Sequence, residues 1–479
     1  MVVGNVNATE MCDAVVIGGG PGGYVCAIRL AQLGKDVILI DKRPVLGGVC
    51  LNEGCIPSKA IIHAAETFEQ MKHADTMGVQ INGSVSLDMD KLQSWKNGIV
   101  KRLTGGVAGL EKGHGVRVMQ GTASFRGPKQ LELINAEDRV QMIDFDHAVI
   151  ATGSVPLDLP FMPVDGDFVI GSKEALDLSE VPESMVVIGG GYIGLELGTA
   201  YAKLGSKVTV VELQDELLGG GLEPEIHRVL LRKAKSLGME ILLGHGAKGA
   251  TAGSPGTVTV ADKDGNTKEI STHKVLISIG RRPFSDGLGL ENVGLTVDEQ
   301  GFLPVNHERR TGVPHIFAIG DITEQPMLAH KAYLEAKVAA EVIAGHPSAF
   351  DVRAIPAVMF TDPEIATVGM SEAEAVAAGY QVKVGVFPWK ASGRALSLGA
   401  TEGISKVVYE TETERILGVH IAGAHAAELI AEGTLALELD AFLDDLAHTI
   451  HPHPTLSETV LEAAEIAMGT CAHFKAPKR

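Results

Sequence analysis

Residues 13–42 read DAVVIGGGPGGYVCAIRLAQLGKDVILIDK. Ala14–Ile17 is a short apolar strand that runs into a glycine-rich turn. Helical periodicity follows over Tyr24–Leu33, Gly34 stops it, and Val37–Ile40 is the next strand. Gly18, Gly20 and Gly23 hold the three glycine positions of a dinucleotide fingerprint. The first allows a tight turn, the second lets backbone approach a pyrophosphate, and the third lets helix and strand pack closely. The start of the helix offers unpaired N–H groups and a positive dipole end to phosphates. Asp41 ends the second strand, where a carboxylate is placed to bond a ribose hydroxyl.

The same unit recurs at residues 185–213, MVVIGGGYIGLELGTAYAKLGSKVTVVEL. Here Gly189, Gly191 and Gly194 take the glycine roles, and Glu212 ends the second strand at the same distance from the first glycine. Two complete copies predict two dinucleotide sites and an α/β fold. Leu213 and Gln214 follow Glu212, with no arginine for a 2′-phosphate, so the second site should prefer NAD over NADP. In the first copy Lys42 and Arg43 follow Asp41, and charge leaves that choice open.

Between the copies stands GGVCLNEGCIPSK, residues 47–59, with Cys50 and Cys55. On an ideal helix, positions five apart are separated by about 7.5 Å of rise, more than a disulfide spans. A bridge here needs a distorted turn, and Gly47, Gly48 and Gly54 give the backbone freedom for one. Taken alone, the pair reads as a redox disulfide beside a bound dinucleotide, a structural bridge, or two idle thiols.

At 479 residues the chain is too long for one core and should form two to four domains. Its 57 glycines and 45% hydrophobic content fit an α/β protein rich in tight strand–helix turns. A net charge of −19 argues against nucleic acid and against an anionic membrane surface. Five cysteines in such a length are no secreted disulfide framework, and Cys12, Cys26 and Cys471 read as isolated thiols. The apolar run Ala14–Leu33 is interrupted by five glycines and a proline, so it is neither signal peptide nor membrane span. A cytoplasmic location is expected.

Further along, residues 66–110 read as mostly helical, with a polar loop near 82–88, and residues 116–143 alternate like antiparallel strands. HAVIATGSVP brings the strand His147–Ile150 to Thr152–Gly153, and KVLISIGRRP ends similarly at Gly280. HIFAIGDI runs Ile316–Ile319 into Asp321, which either faces a cofactor crevice or braces its own loop. A helix is expected over Lys331–Ala344. Beyond Pro356, strands at Ala357–Phe360, Val382–Phe387, Ser405–Tyr409 and Gly418–Gly423 predict a separate α+β domain. Thr455 or Ser457 can cap the last helix, whose apolar face is Leu456, Val460, Leu461, Ala464 and Met468. His453 precedes that helix, and Glu458 in its first turn can orient the imidazole. The alternative is a solvated cluster of His448, His451 and His453; no metal site is expected, since no ligand set accompanies them.

Together, CLNEGCIPSK, both fingerprints, IATGS, IGRRP, IFAIGD, MLAHKA, TDPEIATVG and HPHPTLSE resemble the flavin-dependent pyridine nucleotide–disulfide oxidoreductases, in order and over nearly the whole chain. The resemblance is greatest to the branch that oxidises dihydrolipoyl groups. It implies two Rossmann-like domains and a C-terminal interface domain: FAD at 1–155 and 281–350, NAD at 156–280, and dimerisation at 351–479. FAD would lie on the first fingerprint and Asp41, with Gly48, Lys59, Gly121, Thr152, Gly153, Ser154, Asp321 and Met327, Leu328, Ala329 and His330 around it. NAD would lie on the second fingerprint, with Tyr192, Glu196, Glu212 and Gly280. Lys59 and Glu196 resemble an ion pair near the reactive flavin nitrogen. Cys50 resembles the interchange thiol, and Cys55 the thiol against the flavin ring. His453 and Glu458 would form the acid–base pair, acting on the other subunit's disulfide in a homodimer. Tyr192 resembles a tyrosine that covers the nicotinamide pocket. The implied partners are lipoylated acyltransferase cores or lipoyl carrier proteins of 2-oxoacid dehydrogenase or glycine cleavage systems. The alternative branch, NADPH-dependent glutathione-disulfide reduction, expects arginines after Glu212. Asp41 and Val49 stand where glutamate and threonine are commoner.

Overall fold

A computed structural model describes residues 9–475. The chain forms two compact units. One comprises residues up to Ile61, Asp88–Leu157 and Gly280–Asp351; the other comprises Ile62–Leu87, Asp158–Ile279 and residues from Val352 onward.

The first unit is built on a seven-stranded sheet in which Glu10–Ile17 lies between Val37–Asp41 and Val140–Ile150, parallel to both. Its interior positions Val15, Ile38, Ile40, Phe125, Phe145 and Ile150 form one apolar core. Two expectations are corrected here. Arg117–Gln120 is not part of an antiparallel set: it pairs parallel with Val37–Asp41. The helix Met89–Gly113 carries the chain back across the sheet before it, and such a crossover returns a strand parallel. His147–Ile150 is no separate strand but the end of Val140–Ile150. That strand's first half pairs antiparallel with Gln130–Ile134, and its last residues take Ile316–Ala318 as a parallel neighbour.

The second unit holds three sheets. A five-stranded parallel sheet is ordered Glu240–Leu242, Lys207–Val211, Ser184–Ile188, Lys274–Ile277 and Val169–Ile170. A three-stranded antiparallel sheet spans Gly246–Thr251, Gly256–Ala261 and Thr267–Thr272. The last is a five-stranded antiparallel sheet ordered Ala357–Met359, Ile365–Gly369, Ile416–Ala422, Ile404–Glu410 and Val382–Pro388. The final helix, Glu458–Met468, packs so closely on this sheet that a Cβ on Gly385 would collide with the Ala463 carbonyl. Its buried face is Leu456, Val460, Ala463 and Ala464, whereas Met468, expected inside, is 38% exposed at the helix end. Among the described residues no helix is long and apolar enough to cross a membrane.

One group in the first unit breaks the usual rule for buried carboxylates. Glu111 on the helix Met89–Gly113 is fully buried, and neither carboxyl oxygen has a hydrogen-bond partner among the described residues. Burial pushes its carboxyl from the ordinary 4.5 up to about 8. A raised carboxyl contributes full relative stability below the unfolded value, and loses it as pH rises toward the folded one. Glu111→Gln should therefore outlast the wild type in urea by a margin that grows from pH 5 to pH 8, at most about 1.4 kcal/mol per pH unit. A margin independent of pH would contradict this assignment.

Candidate active site

In the first fingerprint the chain leaves its strand at Gly18 and turns into the helix Pro21–Gln32. A Cβ on Gly23 would strike the Gly18 carbonyl, so helix and turn touch only because the position is glycine. The Gly19 amide donates to Asp41 Oδ2 at 2.6 Å, and the Arg43 amide donates to Asp41 Oδ1 at 2.8 Å. No side chain caps the helix at Gly20, which leaves its first N–H groups to a ligand. The Gly121 amide donates to the Asp41 carbonyl at 2.9 Å.

The second fingerprint repeats this wiring. The Gly190 amide donates to Glu212 Oε2 at 2.6 Å, and the Gln214 amide donates to Glu212 Oε1 at 2.7 Å. A Cβ on Gly194 would meet Gly189 O and Ser278 Oγ, while one on Gly191 would point into open space before the helix Tyr192–Leu204. Tyr192 opens that helix and is 41% exposed. Glu196, one turn on, is buried and accepts the Phe360 amide at 2.8 Å. Both turns thus present uncapped amides and backbone that only glycine leaves uncovered, which fits a dinucleotide at each.

Cys50 and Cys55 are joined, with Cα atoms 4.7 Å apart. The distorted turn that the spacing demands is a break at Gly54 (φ −143°, ψ −109°) between the helices Gly48–Glu53 and Cys55–Lys72. At the other end, Gly47 and Gly48 are left-handed (φ +103° and +58°), and a Cβ on Gly48 would lie 2.6 Å from Gly20 Cα. The disulfide is thereby seated against the first fingerprint. Asn52 Nδ2 donates to the Leu46 and Gly48 carbonyls, and Arg43 bonds Glu53 at 2.9 Å. Lys59 follows as the fifth residue of the second helix.

Elsewhere in the first unit, Ser154 meets Asp321, while Thr152 and Gly153 meet Phe284. Ser154 Oγ donates to Asp321 Oδ2 at 2.5 Å, and Thr152 Oγ1 donates to the Phe284 carbonyl at 2.6 Å. Asp321 is therefore not merely bracing its own loop. Arg281, in the IGRRP stretch, is a residue that sequence reasoning missed: it donates to Ser154 Oγ at 2.8 Å and to the Ser154 carbonyl at 2.7 Å. Glu335 was also missed: it is fully buried, accepts the Gly320 amide at 2.6 Å, and pairs with Arg309 and Lys331. Its one local signal was its place four residues after Lys331 among the alanines of the helix that follows MLAHKA; Arg309 gave none. Met327, Leu328, Ala329 and His330 lead into that helix, Ala329–Ile343. Gly280 lies in the same unit, its carbonyl accepting the Leu157 amide at 3.0 Å.

His453 and Glu458 belong to the second unit. His453 Nδ1 lies 2.8 Å from Glu458 Oε1, and Glu458 Oε2 accepts the Thr455 amide at 2.7 Å. Burial alone would raise the Glu458 carboxyl, but the Thr455 amide and His453 outweigh it and hold it below its ordinary value. An ionised carboxylate only accepts, so Nδ1 carries the proton and Nε2 is the basic nitrogen. The expected cap is corrected: neither Thr455 nor Ser457 caps the helix by its side chain, because Thr455 Oγ1 is engaged with the Pro452 carbonyl and Ser457 Oγ. Nor do the histidines cluster, since His448 pairs with Asp444 and His451 with Glu432.

Residues 12–336 match the family described as pyridine nucleotide-disulphide oxidoreductase, and residues 355–464 match its dimerisation domain. The chain belongs to the pyridine nucleotide–disulphide oxidoreductases, a family that uses FAD and NAD. It is 47% identical over 476 residues to a dihydrolipoyl dehydrogenase of Halobacterium salinarum, covering 99% of each chain. To the dihydrolipoyl dehydrogenase of Geobacillus stearothermophilus it is 48% identical over 474 residues, again covering 99% of each. Among solved structures, LpdA of Mycobacterium tuberculosis matches with a TM-score of 0.87 at 27% identity, covering 95% of this chain and 99% of that one.

Replacing Glu212 by alanine removes the acceptor of both the Gly190 and Gln214 amides. Bonds to a charged acceptor contribute about 1.5–3 kcal/mol, so NADH should bind roughly tenfold or more weakly to Glu212→Ala. Fluorescence titration with NADH of holoenzyme fully reduced beforehand under anaerobic conditions measures this; unchanged affinity would remove Glu212 from the NAD site.

Proposed function

We propose that this chain is a dihydrolipoyl dehydrogenase, oxidising protein-bound dihydrolipoyl groups and reducing NAD+. The observation that carries this reading is full-length identity of 47–48% to relatives of that name. Glutathione-disulfide reduction with NADPH is disfavoured by Leu213 and Gln214, which stand where arginines would be needed.

FAD and NAD supply an acceptor for an electron pair and its delivery as hydride. The first fingerprint with Asp41, Lys59, Gly121, Thr152–Ser154, Asp321 and Met327–His330 would hold the flavin. The second, with Tyr192, Glu196, Glu212 and Gly280, would hold the nicotinamide nucleotide. The four-part division, FAD at 1–155 and 281–350, NAD at 156–280 and interface at 351–479, belongs to the same reading, as does a pairing of Lys59 with Glu196. His453 Nε2 of a second copy takes a proton from one substrate thiol, with Glu458 holding the imidazole and balancing its charge. The thiolate attacks Cys50 Sγ, the Cys50–Cys55 bond breaks, and Cys55 leaves as a thiolate. The second substrate thiol loses its proton and displaces Cys50, closing the lipoyl disulfide. Two electrons then reside on the cysteine pair, and two protons have left the substrate.

The reading includes a cytoplasmic location and a homodimer, the latter supported by the dimerisation-domain match and by the exposure of the His453 side chain (79%). Its partners would be the lipoylated cores or carriers of 2-oxoacid dehydrogenase or glycine cleavage systems. Steady-state assay with dihydrolipoamide tests it: NAD+ should be reduced far faster than NADP+, and His453→Gln should lower kcat/KM about 10²–10⁴-fold. Reduction of glutathione disulfide by NADPH, with no lipoyl activity, would sink it. Tyr192 is assigned the cover of the nicotinamide pocket; Tyr192→Phe and Tyr192→Ala with unaltered NADH binding and flavin spectra would discard that role.

A further inference from the structure

Beyond the final helix the chain doubles back. Gly469 is left-handed (φ +80°), and its amide donates to the Ile466 carbonyl at 3.1 Å. The Thr470 and Cys471 amides then both donate to the Glu465 carbonyl, at 2.9 and 3.3 Å. This reversal lays the tail along the helix it has just left, and Phe474 anchors it edge-on against Phe387, ring centroids 6.3 Å apart. Glu462 and Glu465, one helical turn apart, share a face there. Cys471, which reads from sequence as an isolated thiol, is thereby brought against two carboxylates.

The ligating atoms of Glu462, Glu465 and Cys471 lie within 4.8 Å of one another. Cys471 Sγ donates to Glu462 Oε2 at 2.9 Å, and His473 Nδ1 meets Glu462 Oε1 at 2.5 Å. A thiol, an imidazole and two carboxylates thus converge, with Glu462 buried and Glu465 and Cys471 open enough for entry. The mixture differs from a surface acidic patch, because sulfur and nitrogen donors sit among the oxygens. Two like charges on adjacent turns are unfavourable unless a cation or protons lie between them. Burial and the neighbouring Glu462 push the Cys471 thiol up to about 11, and the same two causes raise Glu465.

We infer that Cys471, Glu462 and Glu465 form a site for a thiophilic divalent cation of the Zn²⁺ class, with His473 orienting the Glu462 carboxylate. The donor set selects the ion: a thiolate favours zinc-like metals over Mg²⁺ and Ca²⁺, which take oxygen ligands. Zinc bonds of about 2.0–2.3 Å place tetrahedral ligands ~3.5 Å apart, so rotations of partly exposed side chains by roughly 1 Å complete the shell. A water or a further ligand takes the fourth position. On binding, the Cys471 S–H bond breaks, the sulfur bonds the metal and the proton passes to solvent. His473 then donates to the ligating carboxylate, as outer partners of metal ligands do. None of these residues enters the proposed redox reaction, so the site stands or falls apart from that reading.

Calorimetric titration of the holoenzyme with ZnCl₂, its Cys50–Cys55 pair oxidised, tests this in two buffers of different protonation heat. One Zn²⁺ per chain should bind with release of close to one proton, and Zn²⁺ should protect Cys471 from alkylation. His473→Ala should weaken binding about 10–100-fold, and Cys471→Ser should weaken it further and abolish the proton release. Retention of flavin and far-ultraviolet circular dichroism verify that the variants are folded. Unchanged affinity in Cys471→Ser, no binding at all by the wild type, or binding only after reduction of the Cys50–Cys55 pair would each overturn the assignment.

Discussion

A single bond recurs at the two places where this chain can hold a dinucleotide: a glycine amide donating to the acid at the end of the next strand, Gly19 to Asp41 and Gly190 to Glu212, both at 2.6 Å. Each acid spends its other oxygen on an amide two residues further on. The carboxylate thus ties turn to strand end, and in the proposed reading its remaining lone pairs would meet a ribose there. Because the helix behind each turn is uncapped, the same arrangement leaves amides for phosphate. Without these ties the glycine turns would be too loose to define a binding position, since glycine loses the most conformational freedom on ordering.

The redox pair depends on that turn as well. Gly48 lies against Gly20, and the Gly47 amide donates to the Gly19 carbonyl at 2.8 Å, so the helix carrying Cys50 is docked on the glycine turn of the first fingerprint. In the second unit an equally local device fixes His453, the proposed base. Glu458 takes the Thr455 amide with one oxygen and His453 with the other, which sets both the ring's position and its tautomer. A charged acceptor serving two donors within five residues is a stiff arrangement, suited to a proton transfer that needs a fixed direction.

Much of this was legible in the chain because it is local. Strand, turn and helix of each fingerprint follow from apolar period and glycine placement, and the need for a broken helix follows from the Cys50–Cys55 spacing. Pairing partners were less legible. Arg117–Gln120 alternates in the same way whether its neighbour runs parallel or antiparallel, so only the preceding crossover helix decides its direction. Arg281 reaching Ser154, and Glu335 holding Gly320 between Arg309 and Lys331, join residues whose meeting depends on the folded sheet. Glu111 carries no local signal, since a glutamate on a long amphipathic helix reads as solvated until the packing is seen. Cys471 was read as solitary because its partners are reached only through the reversal at Gly469.

The central claim is that Cys50 and Cys55 exchange with a dithiol and pass the electron pair to the flavin through Cys55. The most direct measurement is anaerobic addition of dihydrolipoamide to the purified yellow holoenzyme, followed through the flavin spectrum in wild type and Cys55→Ser. The account predicts a long-wavelength thiolate–flavin band in the wild type, its absence in Cys55→Ser, and NADH formation when NAD+ is added to the wild type. A wild-type spectrum that dihydrolipoamide leaves without the long-wavelength band, or an identical band in Cys55→Ser, would contradict it.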